Sequence, residues 1–255
     1  MTDPKKSELP FQSVTSIQRA LRDGSLDPHD ILDSVLTRIR HYEPKVNAFI
    51  TQIPEDALRT QADEAARSLP KGNSPPLTGI PIVVKDNTCV VDVRCTAGSK
   101  ILADYVPRED APAVSKLRRA GAIILGKTNM HEFAYGVTTN NPHYGPTRNP
   151  WSLDCIAGGS SGGSAAALAA GFAFAATGTD TGGSIRIPSA ICGVSGLKPT
   201  YGLVSTAGVV PLSWTLDHVG PMARFASDIA LFLQIMSTSG SAVDEKKLHG
   251  ASRLR

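Results

Sequence analysis

Two short apolar runs on either side of a helix-like segment constrain the fold of this chain most. IPIVV covers Ile80 to Val84 and AIIL covers Ala122 to Leu125, and neither run alternates with polar residues. Continuous apolar runs with β-branched residues are typical of strands buried on both faces. The segment between them includes DAPAVSKLRRAG, which predicts a helix ending at Gly121. Strand, helix and strand in this order predict an α/β fold with a parallel or mixed sheet core, covered by helices on both faces.

Other segments predict helices around this core. Asp27 and Pro28 supply an N-cap and a first helical residue for ILDSVLTRIRHY, which carries an apolar stripe, and PEDALRTQADEAARSL predicts a second helix that stops at Pro70. ASDIALFLQIM predicts a late helix, and the apolar region 165–176 predicts a buried one. We expect residues 1–75 to form a helical segment that packs on a core over residues 76–240. Residues 241–255 lack periodicity and are expected to be an unstructured tail.

Composition excludes several classes of protein. The chain has 255 residues and a formal net charge of +3, from 26 basic and 23 acidic residues. This charge is too small and too dispersed to predict a nucleic-acid or membrane surface. The N-terminal residues form no apolar signal segment, and residues 165–176 are too short to span a bilayer. The four cysteines have no CxxC spacing, so we expect reduced thiols, no metal site and a cytoplasmic protein.

Three short motifs match known catalytic patterns only formally. Gly121 to Thr128 fits the phosphate-binding loop GxxxxGK[ST], but its inner residues AIIL are the predicted strand and cannot cup phosphates. Gly158 to Gly162 fits the GxSxG nucleophile elbow, but that elbow requires a strand before it, and a Pro-containing loop is expected here. The later acid and histidine, Asp217 and His218, are adjacent in the chain and cannot easily align with the serine as acid and base. Ser195 to Lys198 fits SxxK, although Gly196 and Pro199 disfavour the required helix.

Two Gly-Gly-Ser runs, ending at Ser160 and Ser184, are the stronger candidates for a catalytic site. No histidine lies near either run, and His131 and His143 upstream have the alternative of structural roles. Lys85 follows the strand IPIVV, where the sheet edge forms an active crevice in open α/β folds. Burial lowers the pKa of a lysine, so a neutral amine could accept a serine proton. The alternative is a structural ion pair of Lys85 with Asp86 or another carboxylate.

Four long segments in order resemble the amidase signature family of Ser-Ser-Lys amide hydrolases. The resemblance runs from about Ser13 to about Met236 and is densest from Gly79 to Gly202. It rests on PIVVKDN, MHEFAYGVTTNNPHYGPTRNPW, GGSSGGSAAALAAG and GTDTGGSIRIPSAICGVSGLKPTYG. By this resemblance Ser184 is the nucleophile, Ser160 is the bridging serine after a cis Gly159–Ser160 bond, and Lys85 is the base. An acyl-enzyme on Ser184 would then be hydrolysed by water.

The resemblance also implies roles for the residues around Ser184. It assigns an oxyanion hole to Thr181, Gly182, Gly183 and Ser184, and glycines there can turn successive N–H groups inward. Ser161, Asp180 and Arg186 match polar positions of the family. We expect these residues to orient the three catalytic residues and the loop of Ser184. A purely structural hydrogen-bond cluster is the alternative for these three.

The predicted activity is hydrolysis of a small-molecule carboxylic amide. We expect no metal or organic cofactor, no direct contact with nucleic acid and no membrane association. One alternative is the glutaminase subunit of a tRNA-dependent amidotransferase with partner subunits. Another is an inactive, truncated interaction protein. Family members usually have a longer core, of which this chain carries about the first half, so we expect a splice product, a truncated gene model or a fragment. Uncovered sheet edges and helix faces predict poor solubility or a homo-oligomer.

Overall fold

A computed structural model describes residues 8–69 and 74–237 of the chain. The strands are β1 (Phe49–Gln52), β2 (Pro81–Lys85), β3 (Ile123–Thr128), β4 (Asn140–Asn141), β5 (Gly145–Pro146), β6 (Arg148–Asn149), β7 (Ser152–Ile156), β8 (Ala175–Asp180), β9 (Ser195–Gly196) and β10 (His218–Ala223). The α-helices are α1 (Val14–Arg22), α2 (Pro28–Val46), α3 (Glu55–Ser68), α4 (Pro112–Arg119), α5 (Gly162–Ala169), α6 (Arg186–Cys192) and α7 (Ala226–Met236). Short 3-10 turns cover Leu9–Phe11 and Glu132–Ala134.

A six-stranded mixed sheet in the order β1-β3-β2-β8-β10-β9 forms the centre of the molecule. Strand β2 runs parallel to β3 and to β8, whereas β1 and β10 run antiparallel to their neighbours. Every residue of β2, β3 and β8 is buried, as expected for strands covered on both faces. The predicted α/β fold with a mixed sheet is confirmed, and so are the strands predicted from IPIVV and AIIL.

The helices predicted before the core are present, and their ends follow from local chemistry. The Asp27 side chain accepts a hydrogen bond from the His29 N–H at 2.8 Å, and Asp30 completes a capping box at the start of α2. Helix α2 ends at Val46, and the capping residue Asn47 adopts the left-handed conformation with φ of 55°. Its apolar stripe belongs to the same hydrophobic cluster as the strands of the central sheet.

Two predictions of local structure were wrong. The apolar region 165–176 is not one helix, because α5 ends at Ala169, Gly171 turns the chain with φ of 72°, and β8 begins at Ala175. The segment predicted as a loop before the first Gly-Gly-Ser run is the hairpin of β6 and β7. The tail predicted over residues 241–255 lies outside the described residues.

Helix α5 packs against β2, β8 and β10 with mostly small side chains. Gly163 lies in its first turn, and a Cβ atom at this position would collide with the carbonyl oxygens of Asn129 and Ala48. The absence of a side chain therefore lets the start of α5, and the serine loop before it, approach the end of β3.

In the described part of the chain, no helix is both long enough and apolar enough to cross a lipid bilayer.

Replacing Gly163 with alanine is expected to lower the free energy of unfolding by about 2 kcal/mol or more, because the new methyl group overlaps two backbone oxygens that cannot move independently. Urea denaturation monitored by circular dichroism would measure this loss. Gly182→Ala is the matched control, since a Cβ atom there would have no other atom within 4 Å. Equal stability of the two variants would contradict the packing argument.

Candidate active site

The candidate site lies where two parallel strands of the central sheet end. Lys85 is the last residue of β2, and Asp180 is the last residue of β8. The loop that follows β8 carries Ser184, and the loop that precedes α5 carries Ser160. Ligand sites of open α/β sheets form at this carboxyl edge of parallel strands.

The Lys85 side chain is fully buried and makes two hydrogen bonds. Its Nζ lies 2.7 Å from Ser160 Oγ and 2.7 Å from Thr179 Oγ1. Among the described residues, no carboxylate forms an ion pair with Lys85. Asp86 instead faces Lys127, with 3.5 Å between Oδ1 and Nζ. The structural alternative of a Lys85–Asp86 pair is therefore wrong.

Burial is the main reason why the pKa of Lys85 falls to about 7. The carboxylates of Asp180 and Asp217 act in the opposite direction but only in part offset this effect. A pKa in this range gives a sizeable fraction of neutral amine at neutral pH. The Lys85 amine therefore has the property that a general base requires.

The peptide bond between Gly159 and Ser160 is cis, as the resemblance predicted. The Ser160 carbonyl accepts a hydrogen bond from the His131 N–H at 3.1 Å. The Thr139 hydroxyl donates to the Gly158 carbonyl at 2.7 Å. These contacts fix the backbone on both sides of Ser160 while its hydroxyl faces Lys85.

The loop that carries Ser184 folds around the buried Asp180 carboxylate. Asp180 Oδ1 accepts from the Gly183 N–H at 2.8 Å, and Oδ2 accepts from the Ile185 N–H at 3.2 Å. The Arg186 guanidinium adds bonds of 3.0 and 2.9 Å from the solvent side. Burial alone would raise the pKa of Asp180, but Arg186 and the N–H donors more than offset it, so the pKa lies below its ordinary value. The carboxylate is therefore ionised at neutral pH.

Backbone contacts hold the two serine loops side by side. The Ser161 N–H donates to the Ser184 carbonyl at 3.2 Å, and the Ser161 hydroxyl donates to the Thr179 carbonyl at 3.3 Å. Within residues 8–69 and 74–237, no hydrogen bond joins the Ser184 and Ser160 hydroxyls. The structure thus brings Lys85 and Ser160 into direct contact, and it places Ser184 beside them through the main chain.

The predicted oxyanion hole differs from the structure at one residue. The Gly183 N–H is committed to Asp180, because Gly183 adopts φ of 125° and turns its N–H towards that carboxylate. Thr181, Gly182 and Ser184 remain as candidate donors. Gly182 borders open space, since a Cβ atom there would meet no other atom within 4 Å.

Sequence reasoning missed several residues that touch the site. Thr179 accepts from Lys85 Nζ and from Asn87 Nδ2, the latter at 3.2 Å, and Thr177 Oγ1 accepts from the Lys85 N–H at 3.1 Å. Residues two apart on a strand share a face. The two threonines of ATGTD in β8 could therefore have been predicted to lie on the same face of the sheet. Asp217, considered only as a triad acid, accepts from the Thr181 hydroxyl at 2.5 Å.

The side chains of the two upstream histidines have local partners, and the three short motifs do not form the sites that their patterns describe. His131 Nδ1 lies 3.3 Å from Thr138 Oγ1, and His143 Nε2 lies 2.9 Å from Glu132 Oε1. Lys127 is buried within β3, which rules out a phosphate-binding loop there. The GxSxG motif does follow a strand, β7, but that strand belongs to an exposed hairpin outside the central sheet. Ser195 lies in β9, so SxxK forms no helix.

No group of three or more His, Cys, Asp and Glu side chains that could hold a metal ion occurs among the residues described.

The fold and the site place the chain among α/β proteins with a buried serine–lysine pair. A family model described as Amidase matches residues 30–250, and the chain belongs to the amidase family.

Curated relatives include the A-type subunit of the glutamyl-tRNA(Gln) amidotransferase of Lachnoclostridium phytofermentans, 47% identical over 90% of this chain and 47% of the relative. The corresponding protein of Halorhodospira halophila is 50% identical over 87% of this chain and 46% of the relative. The native peptide amidase from Stenotrophomonas maltophilia is a similar solved structure, with a TM-score of 0.83, 37% identity and coverage of 96% of this chain and 51% of that one. The chain thus spans about half the length of the curated relatives it matches.

We compare the free energy of unfolding of a Lys85→Met variant with that of the unaltered chain. The difference, variant minus unaltered chain, is expected to be greatest near pH 6 to 7 and to decline towards pH 10. The folded pKa of Lys85 is about 7, against an ordinary value of 10.5. Between these values the unfolded chain binds the extra proton, so the unaltered chain gains stability as the pH rises, whereas the variant does not. Urea denaturation at each pH would measure the difference.

Thr179→Val is the matched control, because it removes a partner of Lys85 Nζ and keeps the titrating amine. Its stability should retain the pH dependence of the unaltered chain. Parallel curves for Lys85→Met and the unaltered chain would show that Lys85 titrates normally.

Proposed function

We propose that this protein is an amide hydrolase in which Ser184 is the nucleophile, Ser160 the proton bridge and Lys85 the base. The observation that carries the proposal is the 2.7 Å contact between Lys85 Nζ and Ser160 Oγ. The lysine is fully buried, has no carboxylate partner among the described residues, and lies beside the loop of Ser184. Membership of the amidase family supports the same assignment.

The reaction begins with two linked proton transfers. Neutral Lys85 accepts the Ser160 hydroxyl proton while Ser160 accepts the proton of Ser184. The Ser184 oxygen forms a bond to the amide carbon, and the carbonyl electrons move to its oxygen. The N–H groups of Thr181, Gly182 and Ser184 donate to this oxyanion. Losing one such donor typically raises the barrier by about 3 kcal/mol.

The tetrahedral intermediate then breaks its carbon–nitrogen bond. The leaving nitrogen takes the proton that Lys85 returns through Ser160, which leaves an acyl-enzyme on Ser184. Water attacks the ester by the same proton route and regenerates the serine. The contact between the Ser184 and Ser160 hydroxyls is expected to close in the substrate complex, since catalytic hydrogen bonds often lengthen in unliganded enzymes.

Asp180, Arg186 and Ser161 position the reacting groups in this proposal. The ionised Asp180 holds the Gly183 and Ile185 N–H groups on either side of Ser184. The Arg186 guanidinium pairs with that carboxylate and favours its ionised form. Ser161 bonds to the Ser184 carbonyl and thereby fixes the distance between the two serine loops.

A second candidate function is that of an amidotransferase A-type subunit. Relatives that are 47 to 50% identical to this chain over the aligned residues carry the name of this component of glutamyl-tRNA(Gln) amidotransferase. In that case glutamine is the amide, further subunits bind the chain, and the location is the cytoplasm. Glutamine hydrolysis that depends on charged tRNA and on copurifying subunits would favour this candidate.

A serine-directed fluorophosphonate is expected to form its adduct at Ser184, located by mass spectrometry of the digested protein. The labelling rate should fall at least about 100-fold in Lys85→Ala, because the base is lost. Ser195→Ala and Lys198→Met are matched controls from the rejected SxxK motif, and both should label at the normal rate. Label on Ser160 with Ser184 untouched would overturn the roles, and no label at all would identify an inactive homologue.

The labelling rate is also expected to depend on pH through Lys85. Because only the neutral amine accepts a proton and its pKa is about 7, the rate should fall about tenfold per pH unit below that value and level off above it. Rates between pH 5 and 9 would give the profile. A rate that does not change between pH 5 and 8 would contradict Lys85 as the base.

A further inference from the structure

Two of the four cysteines, Cys89 and Cys95, lie together in the segment that follows β2. All four cysteines carry free thiols. The thiols of Cys89 and Cys95 are hydrogen-bond partners of each other. Within residues 8–69 and 74–237, no such contact joins Cys155 or Cys192 to another cysteine. Two neighbouring thiols can form a disulfide, whereas an isolated thiol cannot do so within one chain.

Backbone contacts hold these two cysteines close together. The segment between them turns back on itself, because Val90 and Val93 form an isolated antiparallel bridge and Asp92 has a φ of 60°. The backbone N–H of each cysteine donates to a carbonyl outside this turn, at 2.8 Å for Cys89 and 2.9 Å for Cys95. The contact between the thiols is therefore built into the folded chain.

The two thiols differ in their access to solvent. Cys95 is fully buried, and its S–H donates to the Asp86 carbonyl at 3.1 Å. Cys89 keeps an exposed fraction of 8%. A small neutral oxidant such as hydrogen peroxide can therefore reach the sulfur of Cys89 from solvent, whereas Cys95 is reached only through Cys89.

The surroundings favour a thiolate at Cys89 rather than at Cys95. The hydrogen bond from the Cys95 thiol is the main reason why the pKa of Cys89 is lowered. The Tyr105 hydroxyl and the Lys127 ammonium act in the same direction, whereas burial and Glu109 oppose them. The pKa of Cys95 is raised, because its proton is held in the hydrogen bond to Cys89 and because its side chain is buried. The thiolate is the nucleophilic form of cysteine, so Cys89 is the attacking thiol.

We propose that Cys89 and Cys95 form a peroxide-sensitive dithiol, in which Cys89 reacts with hydrogen peroxide and Cys95 then closes an intramolecular disulfide. This inference goes beyond the proposed function, because no step of it involves Lys85 or either catalytic serine. It concerns a modification site that is reduced in the cytoplasm and oxidised when peroxide is present.

Oxidation of the dithiol takes place in two steps. The Cys89 thiolate bonds to one peroxide oxygen, the oxygen–oxygen bond breaks, and the second oxygen leaves as hydroxide, which takes up the proton that the thiol released. The Cys95 sulfur then bonds to the sulfur of the Cys89 sulfenic acid, the sulfur–oxygen bond breaks, and the oxygen leaves as water with the Cys95 proton. The two thiols lose two electrons, peroxide accepts them, and two water molecules result.

The disulfide alters one described contact at the end of β2. A disulfide has no S–H group, so the Asp86 carbonyl loses its bond from Cys95. The same carbonyl keeps the Ala97 N–H at 3.3 Å and Lys127 Nζ at 3.4 Å. We therefore expect the fold to survive oxidation.

Trypsin separates the two cysteines, which makes the test direct. Cleavage after Lys85, Arg94 and Lys100 gives the peptides 86–94 and 95–100, each with one cysteine. The folded protein is treated with hydrogen peroxide, the remaining thiols are blocked with N-ethylmaleimide, and the unreduced digest is measured by mass spectrometry. The expected product is the two peptides joined by a disulfide, and dithiothreitol should separate them.

Two variants assign the separate roles of the thiols. Cys95→Ser keeps a hydroxyl donor for the Asp86 carbonyl but cannot close the disulfide. Dimedone, which reacts with sulfenic acids, is expected to label Cys89 at least about tenfold more in this variant than in the unaltered chain, where the disulfide consumes the sulfenic acid. In Cys89→Ser, peroxide is expected to oxidise Cys95 at least about tenfold more slowly than it oxidises Cys89 in the unaltered chain, because the Cys95 sulfur is buried.

Cys155→Ser is the matched control, because Cys155 is exposed and has no thiol partner among the described residues. The joined peptides should form in this variant in the same yield as in the unaltered chain. Ser184→Ala should also give this yield, since the dithiol does not use the candidate nucleophile.

The outcomes separate this inference from the proposed function. If the joined peptides form in the unaltered chain and in Ser184→Ala alike, the dithiol is supported whether or not Ser184 reacts with amides. If Cys89 and Cys95 both remain open to N-ethylmaleimide while Cys155 is oxidised, the inference is overturned. Joined peptides that form only in urea would show that the pairing belongs to the unfolded chain, which also overturns it.

Discussion

Among the described residues, the fold removes the Lys85 side chain from water without pairing it with a carboxylate, and Ser160 and Thr179 are its hydrogen-bond partners. Burial of an ammonium group disfavours its charge, and hydroxyl oxygens from Ser160 and Thr179 replace only part of the lost hydration. The pKa near 7 is the consequence. The parallel pairing of β2 and β8 provides this environment, because it places Lys85 and Thr179 on neighbouring strands.

A second buried lysine in the same sheet shows the contrast. Lys127 in β3 is as fully buried as Lys85, yet its Nζ faces the Asp86 carboxylate at 3.5 Å. Asp86 in turn accepts from the backbone N–H groups of Thr96 and Gly98 at 3.0 and 3.2 Å. Adjacent residues therefore have different surroundings: the Asp86 carboxylate faces Lys127, whereas Lys85 has no such partner among the described residues.

Small residues let the two serine loops meet at this lysine. Gly163 allows α5 to approach the carbonyls of Asn129 and Ala48, and the His131 N–H and the Thr139 hydroxyl bond to the carbonyls of Ser160 and Gly158 in the serine loop before that helix. On the other side, the Asp180 carboxylate gathers the N–H groups around Ser184. Larger side chains at the glycines would separate the loops, so the geometry of the site depends on the absence of side chains as much as on the reactive groups.

The sequence predicted the strands β2 and β3 and the helices α2, α3 and α4, because hydrophobic periodicity and capping residues are local signals. It failed at α5 and β8, since an alanine-rich apolar run carries no period that separates a buried helix from a buried strand. Motif order also predicted Lys85, Ser160 and Ser184 as the candidate site. Thr179 and Asn87 were missed because ordinary threonines and asparagines acquire roles only through neighbours distant along the chain.

By itself the sequence determined the family, the α/β class and the reactive residue types, because these are written in local patterns and in long motifs. Only the tertiary structure decided that Lys85 contacts Ser160 rather than Asp86, that Gly183 donates to Asp180, and that Thr181 donates to Asp217. Each of these depends on strand pairing and burial between segments far apart in the chain. The charge state of a lysine and the direction of an N–H group follow from that environment, which no local pattern contains.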